Sequence, residues 1–129
     1  MGGEKGSVPK DVSAHFGDRT KIFEKDFFDL TKEKKIRDHL GRLKKKQVIV
    51  AGIETHVCVY QTVTDLLAAG YDVTIVADAM SSRTAENRDI AIRRMVTEGA
   101  RLSSTEMVLF ELTVNSGTDE FRAIARLVK

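Results

Sequence analysis

Two short runs rich in β-branched residues constrain this chain more than any other feature: Gln47-Val48-Ile49-Val50-Ala51-Gly52 and Tyr71-Asp72-Val73-Thr74-Ile75-Val76-Ala77. Both are short, and the first is apolar without alternation, the pattern of a strand buried on both faces in a parallel sheet. Between them the sequence predicts a turn over 53–56 and a helix from Val57 to Ala69, with Gly70 where a C′ glycine belongs. After the second run, Asp78 and Ser81-Ser82 lead into a predicted helix from Thr84 to Glu98 closed by Gly99, and Arg101-Leu102 forms a short third strand. Strands and helices alternating at this spacing imply right-handed βαβ units and a parallel sheet. The predicted class is α/β, and 129 residues make one domain of ordinary size.

The flanking segments carry weaker signals. Residues 1–18 include Pro9, the only proline, show no period, and read as a loop or arm. Arg19 to Glu24, with Ile22 and Phe23, reads as a short strand. Thr31 to Lys46 reads as a helix on the spacing of Ile36, Leu40 and Leu43, capped by Asp29 or Thr31. Ser103-Ser104-Thr105-Glu106 has the form of a capping box and opens a helix through Leu112. A last helix runs from Thr118 to Val128, with Phe121, Ile124 and Leu127 on one face.

Composition excludes several function classes. Hydrophobic residues make up 42% of the chain, which rules out a disordered protein. No apolar run approaches the ~18 residues of a membrane span, and the start, MGGEKGSVPKD, has no apolar core of a secretory signal. A lone cysteine forms no internal disulfide, no Cys/His cluster has zinc spacing, and a reducing, cytoplasmic location is expected. The net charge of +2 divides into +5 over residues 1–46 and −3 over 47–129. No basic stripe interleaves with the 8 aromatics, so neither nucleic acid nor membrane is an expected partner. Lys44-Lys45-Lys46 reads as a solvated helix end, where cations complement the carbonyl dipole, in preference to a binding patch.

Ligands of an open parallel sheet bind beyond the carboxyl ends of its strands. That rule selects residues 52–58, Asp78 to Arg83, and Lys25-Asp26 after the strand expected near Phe23. Cys58 falls in the first of these, in the opening turn of a helix where unpaired N–H groups favour a thiolate. Two readings stay open for it, a nucleophile and a buried small hydrophobe. Lys25, at the same end of the sheet, is placed to set an ammonium beside the sulfur. His56 reads as a pocket-lining or hydrogen-bonding residue in preference to a general base, because residues two apart seldom face each other at a turn.

The block Val48-Ile49-Val50-Ala51-Gly52-Ile53-Glu54-Thr55-His56-Val57-Cys58-Val59, continuing through Gly70-Tyr71 to Val76-Ala77-Asp78-Ala79-Met80-Ser81-Ser82-Arg83, resembles the isochorismatase-like cysteine hydrolase superfamily. It is most similar there to the isochorismatase domain-containing proteins, and the match runs from about residue 20 to 129. The resemblance implies a three-layer α/β/α, Rossmann-like fold with a mostly parallel sheet. It also implies an Asp–Lys–Cys triad, with Cys58 as nucleophile and Lys25 as the lysine. A non-proline cis peptide at Ile53–Glu54 is implied as well, with the N–H groups of Glu54 and Cys58 aimed at a developing oxyanion. Thr55, His56, Phe27 and Phe28 become pocket-lining candidates, and a small amide or related molecule becomes the expected substrate.

The family's aspartate stands in an I-D-x-Q-like motif of an earlier strand–helix–strand unit, and no such motif occurs in these 129 residues. The metal ligands of the nicotinamidase branch belong to the same unit, so no metal or other cofactor is carried over. Substitute carboxylates would be Asp26, Asp29 or Glu54. Without the first strand, the run Gln47–Gly52 becomes an exposed edge, and a homo-oligomer is expected. The competing reading is a catalytically incomplete member kept for assembly or partner binding. A redox thiol ranks last, since the chain has no resolving cysteine.

Overall fold

The computed structural model describes residues 8–114 and 116–128. In chain order these form α1 (Lys10–Ser13), α2 (Lys34–Leu43), β1 (Gln47–Ile53), α3 (Tyr60–Ala68), β2 (Asp72–Ser81), α4 (Ala85–Thr97), β3 (Arg101–Ser103), α5 (Thr105–Thr113) and α6 (Asp119–Leu127). A 3₁₀ turn at Leu30–Lys32 precedes α2, and one turn of π-helix at Thr55–Val59 precedes α3.

The three strands are parallel, in the order β1-β2-β3. Val50 of β1 and Val73 and Ile75 of β2 pack against Val63 and Leu66 of α3 and Ala91 and Met95 of α4. The next residues along each strand point the other way. Ile49, Thr74 and Ser103 share a groove of about 470 Å³ with Met107 and Val108 of α5. Helices therefore lie on both faces of the sheet, in three layers.

Two helix ends show why the βαβ repeat is legible. Gly70 (φ 93°) and Gly99 (φ 116°) both adopt the left-handed conformation that glycine accepts without a Cβ clash. At each, the following amide reaches back to close the helix, Tyr71 N–H to Leu66 O at 3.0 Å and Ala100 N–H to Met95 O at 2.9 Å. Thr84 caps α4 by accepting from Asn87 N–H at 3.2 Å.

Several expectations are corrected. The strand predicted over Arg19–Glu24 does not form; the segment is a loop, with Ile22 63% exposed and the Phe23 ring against His39 at 5.4 Å. Part of the arm predicted over 1–18 lies outside the described residues, and its remainder contains the short α1. The helix predicted from Thr31 begins as the 3₁₀ turn capped by Asp29, breaks at extended Glu33 (ψ 116°), and resumes as α2. The capping box slips by one residue: Ser103 is taken into β3 opposite Val76, and Ser104 caps α5 by accepting from Met107 N–H. β1 is not buried on both faces. Among the described residues it pairs only with β2, and Ile49 and Ile53 are exposed.

β2 is longer than its sequence run suggests. Val50 pairs with Ile75, but Gly52 pairs with Met80, so one residue of β1 faces four of β2. Val76 meanwhile pairs with Ser103 of β3, and Asp78 is thrown outward. Arg88 of α4 braces this bulge, its guanidinium donating to the carbonyls of Ala77 and Met80.

Candidate active site

The carboxyl end of β1 turns sharply. The Ile53–Glu54 peptide bond is cis, and the π turn follows at once. The carbonyl of Glu54 accepts from both Val57 and Val59 N–H at 3.2 Å, which makes the turn one residue wider than an α-turn. Cys58 sits in it, half-buried. Wide turns of this kind are frequent at functional positions.

Three residue pairs tie this turn to the end of β2. Thr55 Oγ1 donates to Ser81 O at 3.0 Å, His56 Nδ1 lies 2.9 Å from Ser82 Oγ, and Arg83 donates through N and Nε to Glu54 Oε2, each at 3.1 Å. The two motif blocks of the sequence, residues 48–59 and 76–83, are thus physically one unit. Ile53, Glu54, Ser81, Ser82 and Arg83 line a shallow cavity of about 440 Å³ there.

Lys25 arrives from the loop before α2. Its Nζ donates to Cys58 Sγ at 3.5 Å and to Phe27 O at 3.2 Å. An ammonium against a sulfur attracts negative charge there. The loop carrying Lys25 is docked on α3, with Leu30 N–H donating to Thr62 Oγ1 at 3.0 Å. Asp29 Oδ1 accepts from Thr31 N and Oγ1, and Thr31 Oγ1 also lies 3.3 Å from Asp65 Oδ2 on α3.

Asp29 and Asp65 form a linked acid pair. Burial, and then its hydrogen bond to Asp65, push Asp29 above the usual aspartate range. That same bond, with Lys32 at 3.4 Å, holds the more exposed Asp65 below it.

The remaining sequence candidates fall out as follows. His56 is in hydrogen-bond reach of Ser82 and lines none of the described cavities. Thr55 is fully buried and spends its hydroxyl on Ser81, so it braces the turn and lines no open pocket. Phe27 and Phe28 are exposed on the Lys25 loop and line none of the described cavities. Of the substitute carboxylates, Glu54 is committed to Arg83 and Asp29 to Thr31 and Asp65, while Asp26 is on the loop surface. Among the described residues no three His, Cys, Asp or Glu side chains converge as a metal site. Sequence reasoning missed Glu33, Thr62 and Asp65, which hold the lysine loop. The break at Glu33 that frees its side chain shows only in the structure, since the spacing of Ile36, Leu40 and Leu43 reads as one continuous helix from Thr31.

The family model for the isochorismatase domain matches residues 5–107. The chain is 39% identical over 132 residues to the secreted isochorismatase effector Isc1 of Phytophthora sojae, covering 99% of this chain and 62% of that protein. The structure superposes on that of the MAR1 ribonuclease from Caenorhabditis elegans with a TM-score of 0.86 at 34% identity, over 95% of this chain and 62% of that one. The YcaC gene product of Escherichia coli, described as an octameric hydrolase of unknown specificity, superposes with a TM-score of 0.84 at 26% identity, over 92% and 59%. The chain thus spans about three-fifths of the length of these relatives.

Proposed function

The chain belongs to the isochorismatase family, and from that premise we propose that it is a cysteine hydrolase acting on a small amide or a related small molecule. The observation that carries this reading is the 3.5 Å contact between the Lys25 ammonium and the Cys58 sulfur at the carboxyl end of β1. The Cys58 thiolate attacks the carbonyl carbon and forms a C–S bond. Negative charge gathers on the carbonyl oxygen, where the N–H groups of Glu54 and Cys58 are the proposed donors. Collapse breaks the C–N bond, the amine leaves with a proton, and water then cleaves the thioester. Lys25 lies against the sulfur that attacks and later departs. The proton carrier is a substitute carboxylate, Asp26, Asp29 or Glu54, or one supplied from outside these 129 residues; Glu54 Oε2 and Asp29 Oδ1 already accept hydrogen bonds.

A second reading, a member kept for assembly, is favoured by one observation, the exposed edge of β1 with Ile49 and Ile53. The octameric E. coli relative supports a homo-oligomer in either case. A reducing compartment suits a chain whose sole cysteine is a nucleophile, although the Phytophthora relative is described as secreted. Turnover of a panel of small amides, with Cys58→Ala as control, separates the readings. Hydrolysis lost in that variant supports the first; substrate loss unchanged in it ends the catalytic assignment.

A further inference from the structure

Lys25 is held by no strand, so something else must fix where its ammonium lies. A lysine side chain has many rotamers to lose, and a loop adds backbone freedom. The loop closes on one carboxylate: Glu33 Oε1 accepts from Asp26 N–H at 2.6 Å and from Phe27 N–H at 3.1 Å. Both donors follow Lys25 directly in the chain. Phe27 is gripped from two sides, its N–H by Glu33 and its carbonyl by the Lys25 ammonium at 3.2 Å. Hydrogen bonds from N–H groups to an ionised acceptor are about twice as strong as neutral ones, so one carboxylate can hold this turn.

Glu33 is suited to the task by its backbone. It stands at the extended junction between the 3₁₀ turn and α2. That break in the helix frees its side chain to reach back across seven residues. The far side of the loop is anchored independently through Leu30 to Thr62 on α3, the helix that continues from the Cys58 turn.

We propose that Glu33 is the positioning residue of the site, the carboxylate that shapes the 25–27 turn and so holds the Lys25 ammonium against the Cys58 sulfur. The proposal rests on the Cys58–Lys25 pairing proposed above and assigns it a support outside both motif blocks.

The test is the rate of Cys58 alkylation by iodoacetamide as a function of pH, measured on the full chain for the unmodified protein and for Lys25→Ala, Glu33→Ala, Glu33→Gln and Glu33→Asp. In Glu33→Ala the midpoint of the profile moves toward that of Lys25→Ala, with alkylation at pH 7 slowed about fivefold or more and the high-pH plateau unchanged. Glu33→Gln keeps an acceptor at the same reach and restores most of the rate. Glu33→Asp keeps the charge but withdraws it by one methylene, and it shifts the profile as Glu33→Ala does. This variant decides the matter if Glu33→Ala does not fold. A folded Glu33 variant whose profile matches the unmodified protein, with Lys25→Ala displaced, overturns the positioning role alone. Coincident profiles for the unmodified protein and Lys25→Ala overturn the Cys58–Lys25 pairing and this inference with it.

Discussion

Lys25 Nζ and Cys58 Sγ stand 3.5 Å apart although 33 positions separate them in the chain, and no strand carries the lysine. The pairing is made by a loop on one side and a π turn on the other, each tied to the same helix. An ammonium at that distance attracts negative charge that gathers on the sulfur. Lys25→Ala is therefore expected to slow alkylation of Cys58 at pH 7 by about tenfold, with the rates converging at high pH where the thiolate forms regardless. Equal rates at pH 7 would exclude the electrostatic role.

The loop's anchor makes a separate stability prediction. Thr62 is buried, and its hydroxyl oxygen receives the Leu30 N–H at 3.0 Å. Thr62→Val keeps the shape and removes the acceptor, leaving the amide without its partner. The expected cost is about 1–3 kcal/mol, read from urea denaturation. A loss within error of zero would mean that the amide finds water instead.

The α/β core was legible because it depends on local signals that agree. The β-branched runs, Gly70 and Gly99 each specify strand or stop within a few residues, and each does so in the structure. The Cys58 turn was legible as a motif. What escaped was whatever depends on distant closure. Ile22 and Phe23 suggested a strand, yet no neighbouring strand takes up their backbone, and Ile22 remains exposed. Glu33 looked like one more charged residue of a helix, because periodicity cannot register a side chain that bonds to amides six and seven positions back. Ser103 misled for the converse reason. Its S-x-x-E spacing is a true capping pattern, but pairing opposite Val76 claimed the residue first.

Asp78 predicts a pH dependence. Its carboxylate accepts from Thr105 N–H at 2.7 Å and Thr105 Oγ1 at 2.9 Å, and these bonds hold it below the usual aspartate range. A carboxylate depressed on folding stabilises the native state above its unfolded value near 3.8, and the contribution is lost as pH falls through the depressed value. Thermal midpoints followed by circular dichroism are expected to fall on acidification below about pH 4. Asp78→Ala lowers the midpoint at pH 7 and flattens that acid dependence. A parallel slope in the variant would assign the acid sensitivity to other groups.

Met95 is fully buried where α4 meets the sheet, in contact with the cluster that includes Val63, Val73 and Ile75. Truncation removes its thioether chain and leaves a cavity that the strands behind cannot fill. Met95→Ala is expected to cost about 2–5 kcal/mol in chemical denaturation. Because α4 also supplies Arg88 to the β2 bulge, a loosened α4 is expected to release the Ala77 and Met80 carbonyls as well. Arg88→Ala combined with Met95→Ala should therefore destabilise by an amount that departs from the sum of the two single variants. Simple additivity would show that the bulge holds without its brace.

The edge of β1 carries the last prediction. Among the described residues the strand pairs on one side only, and Ile49 and Ile53 are 51% and 71% exposed along it. A half-paired strand with apolar side chains presents backbone donors and acceptors in register, and nothing in its composition opposes a second strand: Gln47 to Ile53 contains neither charge nor proline. Isolated monomers would leave that surface in water, whereas association buries the apolar chains and satisfies the ladder together. Light scattering at micromolar concentration is therefore expected to give a multiple of the 14.4 kDa chain mass. Ile49→Lys places a charge on the strand that pairing would have to bury, and it is expected to shift the mass toward that of a single chain with the helical signal preserved. A monodisperse 14.4 kDa species in the unmodified protein would show that the edge does not drive association.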